Sequence, residues 1–180
     1  LPATTLADSC YFAMFYNCTS LTQAPELPAT TLTNSCYFAM FYNCTSLTQA
    51  PVLQATTLDT SCYKGMFQNC TSLTTVQTIL PATTLADSCY FAMFYNCTSL
   101  TQAPELPATK LVDHCYNYMF NGCSKLNYVK AMFTDVPLGV NPLSMWLENV
   151  SSTGTFIKSK DATWTNEHAL IPSGWTVQTA

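Results

Sequence analysis

Arginine is absent from this chain, and its six basic residues are all lysine. Against ten acidic residues they leave a formal net charge of −4, and charged residues make up only 9% of the whole, well below the usual quarter. Nucleic acid is excluded as a partner, because neutralising phosphates takes clustered Lys and Arg. Electrostatic docking on anionic membranes is excluded for the same reason. Glycine is scarce at five residues, and no Gly-rich phosphate loop, G-x-S-x-G elbow or H-E-x-x-H pair occurs. The two histidines, His114 and His168, do not assemble a catalytic set, so neither enzymatic activity nor a cofactor is expected. No apolar run approaches the roughly 18 residues that span a bilayer, so this segment is expected not to insert in a membrane. No signal peptide is visible, because the chain opens already in register with an internal repeat.

That repeat is what the sequence has in abundance. Leu1–Glu26 and Leu80–Glu105 are identical, and related copies start at Leu27, Leu53 and Leu106, the third with one extra residue before Leu80. Self-similarity at this period marks a solenoid, whose turns bury their apolar faces only against one another. Columns of unvarying large residues supply the stacked core: Leu6, Leu21, Met14 and Phe15 coincide with their equivalents in all five copies. Two columns vary. Phe12, Phe38 and Phe91 give way to Lys64 and Asn117, while Tyr16, Tyr42 and Tyr95 give way to Gln68 and Asn121. That exchange points to solvent-facing positions.

Within each copy, Ser9–Asn17 reads as a short helix with Asp8 as its N-cap. Cys10, Met14 and Cys18 then share one face at i, i+4, i+8, and Phe12 and Tyr16 share another. Leu21–Leu27 reads as extended, ending in a Leu-Pro corner. Pro25 cannot donate to a ladder, so pairing between rungs is expected to be incomplete there. The third copy drops that proline over Leu73–Ile79, and its additional residue reads as a bulge. The expected architecture is an α/β, right-handed leucine-rich-repeat solenoid of about five 26-residue turns over residues 1–126. A C-terminal α+β cap is expected over 127–180, with a helix at Pro142–Val150 and short strands at Gly154–Lys158, Ala162–Thr165 and Trp175–Thr179.

Every copy carries C-x7-C: Cys10/Cys18, Cys36/Cys44, Cys62/Cys70, Cys89/Cys97 and Cys115/Cys123. Eight residues of helix rise about 12 Å, and a disulfide needs Cα atoms within about 7 Å. The favoured reading is a ladder of free structural thiols. Disulfides between non-equivalent cysteines and a zinc site are alternatives, the latter disfavoured by spacing. The tripeptides at Asn17, Asn43, Asn69, Asn96 and Asn149 match the glycosylation acceptor, though turn chemistry explains the first four equally well.

Two surfaces are candidates for binding. An aromatic patch is formed by Phe12, Tyr16, Phe38 and Tyr42, with Phe91 and Tyr95 set apart from it by the third copy. The alternative is that those rings are half-buried or covered by a neighbour. A polar strand face carries Thr22, Gln23, Glu26, Thr48, Gln49, Thr75, Gln77, Gln102 and Glu105.

Met14–Thr22 and its copies, Met-Phe-x-Asn-Cys-Thr-Ser-Leu-Thr, resemble the core of the BspA-like (treponemal and Bacteroides-type) leucine-rich repeats, and the Leu-Pro corner is similar to that family's Ile-Pro. The tail Gly154-Thr-Phe-Ile-Lys158…Trp164…Ile171-Pro-Ser-Gly-Trp-Thr-Val177 is similar to the C-terminal end of many gut Bacteroidales members. The resemblance implies a non-enzymatic adhesion or binding module at the cell surface, on the outer membrane as part of a longer exported chain, with host or bacterial proteins or glycans as partners. Self-association through an uncapped N-terminal end is a further expectation. The alternative function is a structural spacer or self-assembling element of a surface or phage appendage.

Overall fold

The computed structural model describes all residues from Leu1 to Ala180. Successive copies stack so that equivalent residues lie directly above one another. The three regular strands belong to one parallel sheet at the C-terminal end, in the order β1 (Tyr128–Ala131), β2 (Gly154–Lys158), β3 (Trp175–Thr179). Val129, Phe156 and Val177 stand in register across it.

The structure contains no helix, which corrects the expected helices at Ser9–Asn17 and at Pro142–Val150. In their place runs a ribbon of overlapping tight turns. Ser9, Tyr11, Ala13, Phe15 and Asn17 each donate their N–H to the next copy, to the carbonyls of Asn34, Cys36, Phe38, Met40 and Tyr42, at 2.8–3.0 Å. The intervening donors, Cys10, Phe12, Met14, Tyr16 and Cys18, bond three residues back. Every N–H in the ribbon is therefore satisfied, half within the turn and half between turns. Ser9, Ala13 and Asn17 have φ of 56°, 51° and 58°, so turns with a left-handed third residue, the type II signature, alternate with turns that lack one. A left-handed residue at every fourth position is incompatible with an α-helix. Asp8 accordingly caps nothing.

The same ribbon recurs in each copy and once more in the cap, where Tyr116, Tyr118, Phe120 and Gly122 donate to Pro142, Ser144, Trp146 and Glu148. Side chains pointing inward build the core as columns of stacked rings. Phe15, Phe41, Phe67, Phe94 and Phe120 follow one another at centroid spacings of 5.4–5.6 Å. Tyr11, Tyr37, Tyr63, Tyr90 and Tyr116 form a second column, closed by Trp146. The hydroxyls of Tyr37 and Tyr90 are buried without a partner.

All ten cysteines are free. Cys36 through Cys123 are buried, whereas Cys10 and Cys18, on the first turn, are exposed. One thiol per copy donates to a carbonyl of the preceding turn: Cys44 to Phe15, Cys70 to Phe41, Cys97 to Phe67 and Cys123 to Phe94, at 3.0–3.1 Å. No group of His, Cys, Asp or Glu is arranged to hold a metal ion.

In the cap, Trp146, Trp164 and Trp175 are buried, and each indole N–H reaches a carbonyl, of Ala169, Phe133 and Ser151 respectively. Ala162–Thr165 is not a strand. It is held as a loop by Thr163 N–H on Thr134 and by the Trp164 ring packed on Phe133 at 5.0 Å.

Candidate functional site

The face opposite the ribbon is built from the extended segments that follow Leu21, Leu47, Leu73, Leu100 and Leu126. Bonding along it alternates. The second and third copies pair through Gln49 and Thr75: Thr75 donates to Thr48 and Ala50 donates to Thr75. The fourth and fifth pair through Gln102 and Tyr128, with Ala103 donating to Tyr128 at 3.0 Å. Between the first and second copies, and again between the third and fourth, the equivalent bonds are missing.

The two open rungs are those whose later turn carries Gln-Ala-Pro, at Gln49–Pro51 and Gln102–Pro104. In the closed rungs the later turn has no proline there. Proline fixes φ near −65°, short of the −120° of a parallel strand, and supplies no N–H to continue the ladder. The chain therefore curls away from the rung below it. Each open rung becomes a cleft of about 400 Å³ on the strand face.

The cleft between the third and fourth copies gathers Thr75, Gln77, Gln102 and Glu105 of the polar face in one place, together with Tyr128 and Lys130. Glu105 is not a free carboxylate: it pairs with Lys130 at 3.0 Å, both half-buried. Gln77 is likewise committed. Its side-chain amide accepts from Leu53 N–H at 2.6 Å and donates to the carbonyls of Leu53 and Ile79, standing in for a peptide group where the extra residue displaces the chain. Gln23 and Gln49 line the other cleft, and Glu26 lies in a separate shallow groove beside Pro51 and Val52. The strand-face residues are thus brought together as two separate groups and not as one continuous row.

On the ribbon face, Phe12 stacks on Phe38 at 4.9 Å and Tyr16 on Tyr42 at 4.7 Å. Phe12 and Tyr16 are exposed, while Phe38, Tyr42, Phe91 and Tyr95 are half-buried. Lys64 does not separate Phe91 from the rest. Its ammonium lies 5.5 Å from the Phe38 ring and 4.6 Å from the Phe91 ring, bridging them by cation–π contact. Phe91 then meets Tyr118 at 5.6 Å. The row from Phe12 through Phe38 and Lys64 to Phe91 is continuous, its inner ring faces occupied by one another and by the ammonium, whereas Tyr95 stacks on no ring. Asn117 and Asn121 are buried, contrary to the solvent-facing reading of their columns. Asn117 accepts from Ser144 N–H, and Asn121 donates to the Met145 carbonyl and to Glu148, so in the fifth copy these positions dock the cap.

His114 pairs with Asp113 at 2.9 Å on the surface. The Asn141 N–H and the neighbouring imidazole hold the Asp113 carboxyl below the usual carboxylate range. Neither histidine lines either of these clefts.

Tyr128 and Lys130 are site residues that sequence reasoning missed. A signal for them was present: the fifth copy reads Asn-Tyr-Val-Lys where the others read Thr-Gln-Ala-Pro or Thr-Thr-Val-Gln, and it lies one rung from Gln102.

Stacked copies, inter-turn backbone bonding and buried columns of Leu, Phe and Cys define a repeat solenoid. Residues 61–136 match the family model of the BspA type leucine rich repeat region (six copies), and over this stretch the chain is similar to that family. Leu1–Glu26, identical to Leu80–Glu105 inside the matched stretch, carries the same repeat. No curated protein and no solved structure matches the chain. No helix is long and apolar enough to cross a membrane.

Proposed function

We propose that this chain is a non-enzymatic binding module, displayed at the cell surface, which engages protein or glycan partners through its strand face. The observation that carries this reading is the pair of open clefts. On the strand face two rungs leave backbone groups unpaired among neutral polar side chains, while the rungs that alternate with them are bonded. Repeat scaffolds of this family are generally binding surfaces, although a fold alone does not fix a ligand.

A self-assembling role is the second reading, and the ring row of the ribbon face favours it, where Phe12 stacks on Phe38 and Tyr16 on Tyr42 with Phe12 and Tyr16 exposed.

Screening the chain against extracellular glycoproteins and glycans, with sedimentation run in parallel, separates the two. Binding that Gln102→Ala weakens and Phe12→Lys/Phe38→Lys spares, with a monomer throughout, is the expected result. Concentration-dependent assembly abolished by the double lysine change, with no binding to any probe, would sink the module reading in favour of assembly.

A further inference from the structure

We propose that the open rung between the third and fourth copies is a binding site for a neutral oligosaccharide, an inference that rests on the binding-module reading above. In a strand, successive N–H and C=O pairs point to opposite sides. Because the Gln102–Tyr128 bridge uses the Thr101 carbonyl and the Ala103 N–H, the N–H and C=O of Gln102 itself turn toward the third copy. By the same alternation, the bridge of Thr75 to Gln49 turns the Thr74 carbonyl and the Val76 N–H toward the fourth. These four groups face one another across the cleft, and none has a hydrogen-bond partner.

Two donors and two acceptors set close together suit a ligand whose every polar group both donates and accepts, as sugar hydroxyls do. Thr75 and Thr101 add hydroxyls at the rim, and Gln102 adds a side-chain amide that makes no other bond. Tyr128 supplies an aromatic ring. Unlike Phe12, Phe38, Tyr16, Tyr42 and Phe91 of the ribbon face, it is stacked on no other ring, so a face is available to the C–H side of a sugar.

The same geometry excludes other ligand classes. The only charges lining the cleft, Glu105 and Lys130, are paired with each other, so an anionic or cationic ligand finds no unmatched partner. An extended peptide cannot enter as an added strand, because that needs a further spacing of about 4.8 Å between the two turns. They are pinned on both sides of the cleft, by Asn69 N–H on Tyr95 at 2.8 Å and by Leu80 N–H on Glu105 at 3.0 Å. The first open rung has the same four kinds of unpaired group but neither an aromatic ring nor an ion pair. It is the weaker site.

The test is a titration of the isotope-labelled chain with cellotetraose, maltotetraose and chitotetraose, each alone, followed by amide NMR shifts. At least one is expected to bind with shifts centred on Val76, Thr101 and Gln102, and with an affinity unchanged between low and high salt. Gln102→Ala, at an exposed position, should weaken that affinity about tenfold without altering the melting temperature. Tyr128→Leu should weaken it comparably. Shifts confined to the aromatic ribbon row, an affinity indifferent to both substitutions, or no response to any of the three sugars would overturn the proposal. If the chain meanwhile captures a protein partner through the strand face, the saccharide site alone has failed and the module reading stands. If it captures neither, both fall.

Discussion

Ala13, Ala39 and Ala92 occupy left-handed backbone positions, with φ of 50–51°, where an L-residue other than Gly or Asn is disfavoured by roughly 1–2 kcal/mol. The third copy has Gly65 there instead, at φ 60°, and the fifth has Gly122 where the others have Asn17, Asn43, Asn69 and Asn96. These Ala-to-Gly and Asn-to-Gly exchanges were the signal in the sequence that the segment is not a helix, since glycine is the poorest non-proline residue for one. The helical spacing of Cys10, Met14 and Cys18 hid it, because a ribbon with a left-handed residue at every fourth position also returns every fourth side chain to one face. Substituting Gly122→Val puts a β-branched residue at φ 76° and brings its Cβ to 3.1 Å from the Asn96 Oδ1. It is expected to destabilise the chain by roughly 1–2 kcal/mol, read from the urea midpoint. An unchanged midpoint would show that the ribbon does not hold residue 122 in the left-handed region.

At the scale of the element, the rungs of the strand face alternate open, closed, open, closed, following the Gln-Ala-Pro turns. Incomplete pairing around Pro25 was legible from proline chemistry. Which rungs open was not, because the proline that matters belongs to the later turn of each pair. Hydrogen exchange reads this directly. The amides of Val76 and Gln102 are expected to exchange within the fast class, and those of Ala50 and Ala103, bonded at 2.9 and 3.0 Å, far more slowly. Equal protection for all four would mean that the rungs are alike. In the closing copy the ribbon serves the cap instead of a further repeat. Asn117 and Asn121, buried, bond the cap ribbon, and three tryptophans seal the stack behind it. The loss of the aromatic columns in the fifth copy was visible in the sequence, but its cause is the neighbour that only folding brings there.

For the whole molecule, the burial of thiols and phenols in continuous columns sets the response to pH. Desolvation raises Cys44 to about 11 and Cys62, Cys70, Cys115 and Cys123 to about 12, from an ordinary value of 9.0. Tyr63, Tyr90 and Tyr116 are raised for the same reason. These groups hold their protons longer when folded. Above pH 9 the unfolded chain carries fewer protons than the native one, and stability falls as pH rises. The solenoid is therefore expected to keep full stability up to about pH 9 and to lose it progressively toward pH 12. Urea midpoints measured from pH 7 to 11 check this. A midpoint that stays flat to pH 11 would mean that the columns are wet.

Sequence alone determined the repeat, its stacking into a solenoid, the Leu, Met, Phe and Cys columns of the core, though not its column of tyrosines, and the poverty of charge, because each follows from periodicity and composition that every copy restates. It also placed the polar strand-face residues on one side. Tertiary structure alone decided three matters: that the outer segment is a turn ribbon rather than a helix, that Lys64 joins the aromatic row, and that two rungs stand open. Each depends on where a backbone N–H or a side chain finds its partner one turn away. Those partners are some 25 residues distant along the chain, beyond the reach of the local spacing from which a helix is read.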